Sequence, residues 1–152
     1  MVSATHGARV SREALCDAFA DLLSYPFASP TLAARQVLTL VDEEPGERAS
    51  DPASRHALVE LQIAYVHALR CHLRRQNPFP EMERSLSREI MSHLRGQRNV
   101  PAAMLLVKGR ILRRLFDAGR LDSYRFATID QSLTDLCNVQ GACERIKNDP
   151  ET

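Results

Sequence analysis

His67 and Cys71 lie four residues apart, a spacing that sets two metal-ligating side chains on one face of a helix. Two ligands do not make a centre, and His6, His56, His72 and His93 are scattered. A hydrogen-bonded, buried His67 is therefore the expectation, with no metal and no cofactor. Ser, His and Asp are plentiful, but no phosphate-cradling glycine loop, no Gly-x-Ser-x-Gly turn and no His-Glu-x-x-His pair organises them, so catalysis is not expected. Two basic stretches remain: Arg70, His72, Arg74 and Arg75, and then Lys108, Arg110, Arg113 and Arg114. Either could meet acidic headgroups, nucleic acid or solvent. Cations at a helix C-terminus are favoured by its dipole in any case, and interleaved aromatics are missing, so no nucleic-acid partner is expected. Glu144 and Arg145 are adjacent and point to different sides of a helix, so each needs another partner. Glu144 can reach Lys147 or Asn148, and a guanidinium such as Arg145 suits an acid across an interface.

The scaffold holding these residues is bounded by composition. A chain of 152 residues with 44% hydrophobic content is about one domain with a real core. Its 20 basic and 19 acidic residues nearly cancel, leaving no global field. Cys16, Cys71, Cys137 and Cys143 have no paired spacing and the start has no secretion-signal pattern, which predicts reduced thiols and a cytoplasmic setting. No window supplies the roughly 18 apolar residues of a membrane span.

Helical periodicity dominates. Ser11 caps a run through Leu15, Phe19, Leu22 and Leu23 to Tyr25, and Ser29-Pro30 opens another over Leu32 to Val41. Glu43 to Ser50 is a loop. Asp51-Pro52 begins a helix with Leu58, Leu61, Tyr65, Leu69 and His72 on one face and Val59, Ile63 and Val66 on another, so it should touch more than one neighbour. After Asn77-Pro78-Phe79-Pro80, a helix from about Glu81 aligns Met82, Leu86, Ile90 and Leu94 and ends at Gly96 as a left-handed cap. Asn99 caps the next, with Pro101 in its first turn and Gly119 at its end. The last helix runs from Asp122 to about Lys147 through Phe126, Ile129, Leu133, Leu136 and Val139, with Gly141 inside it for close packing or a bend. No strand-like alternation occurs. The fold class is all-α, a bundle of about six helices forming a single domain over residues 1–152.

Three segments, in order, carry a family likeness. Ala64-Tyr65-Val66-His67-Ala68-Leu69-Arg70-Cys71-His72-Leu73-Arg74 resembles a cytosolic helix of bacterial bestrophin-like ion channels, Asn99-Val100-Pro101 resembles the family's Asn-x-Pro helix start, and Gly141 to Asn148 resembles its Gly-x-Cys-Glu-Arg-Ile-x-Asn signature. The motif residues are Gly141, Cys143, Glu144, Arg145, Ile146 and Asn148, followed by Pro150. The likeness covers residues 32–150; residues 1–31 are unmatched, and Asp149 stands where the family has Thr. The family's apolar hairpin would come next, so the expectation is a cytosolic region excised, redesigned or naturally parted from its membrane helices.

The resemblance implies a pentameric channel for inorganic ions, chloride or cations, whose cytosolic helices extend the pore on the cytoplasmic side of the membrane. It places an apolar constriction on the last helix at Leu133 or Ile129, gating by dewetting. Spacing alone makes those two residues the core stripe of an amphipathic helix. Calcium sensitivity belongs to animal members through acidic segments outside the matched region, and Asp42, Glu43 and Glu44 lack EF-hand spacing. By itself the chain is expected not to conduct, and to self-associate. The alternative is a free-standing helical module that binds a partner helix over Val59, Ile63 and Val66.

Overall fold

The computed structural model describes Gln36, residues 40–42, Gly46 and residues 54–149. All regular structure among them is helical: α1 Arg55–Leu73, α2 Phe79–Met82, α3 Arg88–Leu94, α4 Val100–Asp117 and α5 Ser123–Asn148. That is five helices against the expected six or so. The segments read as helices over Ser11 to Tyr25 and Leu32 to Val41 lie wholly or mostly outside the described residues, as do Cys16, Asp51-Pro52 and Pro150.

α1, α4 and α5 make the framework. Tyr65 meets Gln140, and seven residues further along both helices Lys147 meets His72, so α1 and α5 run parallel. α4 runs against both: its first turn lies by Glu144, and its end brings Phe116 to Phe126 near the start of α5, with ring centroids 5.1 Å apart. Leu61, Tyr65, Leu69, Met104, Leu112 and Leu136 on these helices are fully buried, as is Leu94 at the end of α3. At roughly 1.5–3 kcal/mol for each large apolar side chain, this burial is the main force holding the bundle.

Side-chain caps start the long helices. Ser54 Oγ accepts from Ala57 N at 2.9 Å, Asn99 Oδ1 from Ala102 N at 3.1 Å and Asp122 Oδ1 from Arg125 N at 2.8 Å. The helix expected over Glu81 to Gly96 is two helices instead, because Ser87 caps a fresh start by accepting from Ile90 N. Met82, Leu86, Ile90 and Leu94 are all buried nonetheless, so the stripe survives the break. Gly96 is not left-handed; among the described residues positive φ falls on Gly46 (89°), Gly119 (75°) and Arg75 (57°), the last of which closes α1. Nor does Gly141 serve close packing within the chain. α5 passes through it unbroken, and a Cβ there would meet nothing within 4 Å.

A strap joins residues 40–42 to the α4–α5 turn. Asp42 N donates to Arg120 O at 2.9 Å, while Arg120 Nη2 and Nε return to Asp42 O at 2.7 and 3.1 Å. Arg125 Nη1 adds a 3.0 Å contact to Asp42 Oδ1.

Candidate functional site

Polar side chains from all three resemblance segments converge at one end of the framework. Tyr65 Oη donates to Gln140 Oε1 at 3.0 Å, and Gln140 Nε2 donates to Asn99 Oδ1 at 3.2 Å and to Glu144 Oε1 at 2.9 Å. Asn99 Nδ2 donates to the same carboxylate oxygen at 2.8 Å, and His72 Nε2 lies 3.3 Å from it. Lys147 Nζ closes the group on His72 O at 2.6 Å. α1 supplies the phenol and imidazole, the cap of α4 supplies the amide, and successive turns of α5 supply Gln140, Glu144 and Lys147.

The electrostatics follow from this geometry. Burial pushes the Glu144 carboxyl up, but donors from Gln140 and Asn99 and the neighbouring His72 outweigh it and hold the acid below its ordinary range. Burial and the Lys147 ammonium push His72 down, against the pull of Glu144. Burial, then Arg75, pushes Lys147 down. Tyr65 is driven far up by burial and stays a neutral phenol.

One turn into the bundle from this cluster lies a second polar contact that the sequence conceals. Lys108, read as part of a basic stretch, is 2% exposed. Its Nζ donates to Gln62 Oε1 and sits 4.2 Å from the centre of the Tyr65 ring. Gln62 Nε2 is buried with no hydrogen-bond partner. Burial pushes the Lys108 amine down to about 7, with the Cys137 thiol opposing. The signal was present in register: Met104, Lys108, Ile111 and Leu115 share one helix face, and the other three are buried.

The remaining candidates fall elsewhere. Ile129 and Leu133 are covered by the chain's own core, 2% and 8% exposed. Cys143 is buried, whereas Arg145, Ile146 and Asn148 are exposed, and Arg145 makes no ion pair among the described residues. Glu144 does not turn to Asn148; its partners are Gln140 one turn earlier on α5, Asn99 at the cap of α4 and His72 on α1. His67 is half exposed and pairs with Glu81 Oε2 at 2.7 Å and Arg70 Nη2 at 3.0 Å. Among the described residues, no three His, Cys, Asp or Glu side chains gather as metal ligands, and no helix is long and apolar enough to cross a membrane. The cluster has no nucleophile placed beside a base. What it can do is lock three helices together through one carboxylate.

The family model described as bacterial/fungal bestrophin protein matches residues 29–151. A voltage-dependent anion channel-forming protein of Ralstonia nicotianae is 34% identical over 116 residues, covering 76% of this chain and 36% of that protein. A protein of the same description from Salmonella typhi is 33% identical over 92 residues, covering 60% of this chain and 30% of its own length. The chain thus spans about a third of the curated relatives it matches. Among solved structures, a mutant of a bacterial bestrophin homolog from Klebsiella pneumoniae superposes with a TM-score of 0.66 at 25% identity, over 86% of this chain and 45% of that one. A structure described as a membrane protein reaches a TM-score of 0.71 at 23% identity, over 90% of this chain and 47% of its own.

Proposed function

Because this chain belongs to the bacterial and fungal bestrophin family, we propose that it forms the water-exposed helical share of an ion channel of that family, on the cytoplasmic side of the membrane. The observation that carries the reading is one of extent. The match takes in residues 29–151 yet only about a third of each relative, and no described helix is long and apolar enough to span a bilayer. The relatives are named for anions, so chloride is the first ion to test, with cations the alternative. No catalytic role is assigned to any residue.

Self-association, as a ring of five, is part of the proposal. Ile63 and Leu106 are each 55% exposed and Ile146 is 42% exposed, apolar area that a subunit contact would remove from water. Gly141 leaves open space beside α5 into which a neighbour can close. For Ile129 or Leu133 to form the lumen constriction, assembly would have to uncover a side chain that its own chain buries.

The test is reconstitution with hydrodynamics. The chain alone in lipid vesicles should pass no chloride or potassium, and sedimentation should show a species of about five chains; selective flux, or a clean monomer at high concentration, overturns the corresponding half of the reading. The second reading, a partner-helix module, is favoured by one observation. Ile63 is exposed on α1 while Val59 and Val66 beside it are only partly covered. Ile63→Glu separates the two: it should break the self-assembly if that face is a subunit contact, and leave it intact if the face serves a foreign helix.

A further inference from the structure

Lys108 and Lys147 are the chain's two lysines; all the other basic residues among its 20 are arginine. The choice matters in the core. A guanidinium cannot lose its charge in a protein, whereas an amine can. Arg120, also largely buried, is held by the Asp42 carbonyl. Lys108 has no such anchor: its amine faces one amide oxygen and one aromatic ring, and no carboxylate among the described residues pairs with it.

We propose that Lys108 sits uncharged in the resting fold and acts as a proton-operated joint between α4, which carries it, and α1, whose Gln62 and Tyr65 it touches, so that proton uptake by its amine loosens α1 from α4.

The surroundings leave the amine as the group that changes. From α1, Tyr65 faces it as a phenol that burial keeps protonated. From α5, the Cys137 thiol acts on it only through its charge, and burial pushes that thiol up, with Lys108 opposing and Asp130 adding to the rise. On the α3 side, His93 and Arg110 lie 3.5 Å apart at the exposed surface of α4. Gln62 cannot take up the charge beyond its single oxygen, and its orphaned Nε2 repels an ammonium. Burial pushes the amine from the ordinary lysine range down to about 7, so an opened form that hydrates it binds the proton far better. The sign is fixed by that difference. Opening is least favourable above the ordinary lysine range, grows as pH falls and levels off below about 7. The joint rests on packing within one chain, so it stands or falls apart from the channel reading.

The experiment uses the whole chain labelled with ¹³C and ¹⁵N lysine, with Lys147→Gln to assign the two signals. Lys108 should titrate more than about two pH units below a free lysine side chain; a midpoint in the ordinary range overturns the proposal. Hydrogen exchange along α1, corrected for intrinsic rates, should lose about tenfold protection from about pH 8 to about pH 6. Lys108→Met should abolish that pH dependence while keeping the fold, and equal pH dependence in Lys108→Met and the parent also overturns it. Lys108→Arg should show the loosened α1 at every pH, and a tight, pH-independent Lys108→Arg counts against the joint.

Discussion

Asn99 and Glu144, 45 residues apart in sequence, are joined by a 2.8 Å hydrogen bond from Nδ2 to Oε1, while the same amide's Oδ1 caps α4 by accepting from Ala102 N. One asparagine thus starts a helix and fastens it to another. Glu144→Ala removes the acceptor shared by Asn99 and Gln140 and leaves their donors half buried. It should cost about 2 kcal/mol, read as a fall in thermal midpoint, with Glu144→Gln costing less because an amide oxygen remains.

The same carboxylate sets a pH dependence. Its acid is held below the ordinary glutamate range, so the unfolded chain binds its proton first. The stabilisation is complete above about pH 5 and is lost as pH falls through and below the ordinary glutamate value near 4.3. Urea midpoints across that window should fall more steeply in the parent than in Glu144→Gln; parallel curves would contradict the assignment.

Arg75 closes α1 at φ 57°, a conformation that strains any residue with a Cβ, while Gln76 N donates to Cys71 O at 2.8 Å in the manner of a glycine-terminated helix. Arg75→Gly should stabilise the chain by about 1 kcal/mol, measured by denaturant titration.

Gly141 offers a contrast between the single chain and the assembly. In one chain, Gly141→Ala meets open space and adds helix propensity, so it should raise stability by about 1 kcal/mol. If a neighbouring subunit closes on that space, the same substitution weakens association in sedimentation. A change in stability without a change in association assigns the glycine no interface role.

Deep truncation gauges the framework. Leu112 is fully buried between helices, and Leu112→Ala should cost about 2–5 kcal/mol, enough to lower the thermal midpoint by many degrees.

Local rules made much of this fold legible. Asn99 and Asp122 announce their helices because a short polar side chain before an apolar run leaves few other uses for itself, and Leu58, Leu61, Tyr65 and Leu69 announce their buried face by spacing alone. The break at Ser87 was hidden, since Met82, Leu86, Ile90 and Leu94 keep helical period across it and only the Ser87 hydroxyl, competing for Ile90 N, restarts the chain. The three resemblance segments were visible one by one. That they meet at Glu144 was not, because no local pattern records which helix ends share a corner. Lys108 was obscured by its own charge: a lysine between arginines reads as surface, and only its register with Met104, Ile111 and Leu115 says otherwise.

The strap at Asp42 and the cluster at Glu144 sit at opposite ends of one uninterrupted helix. From Arg125 to Glu144, α5 extends about 28 Å at 1.5 Å per residue, with no break where the rod could bend. Mechanically it is a pushrod. A displacement of residues 40–42 would enter α5 through Arg125, and an unbent rod would carry it to Glu144 and the corner that α1 and α4 share.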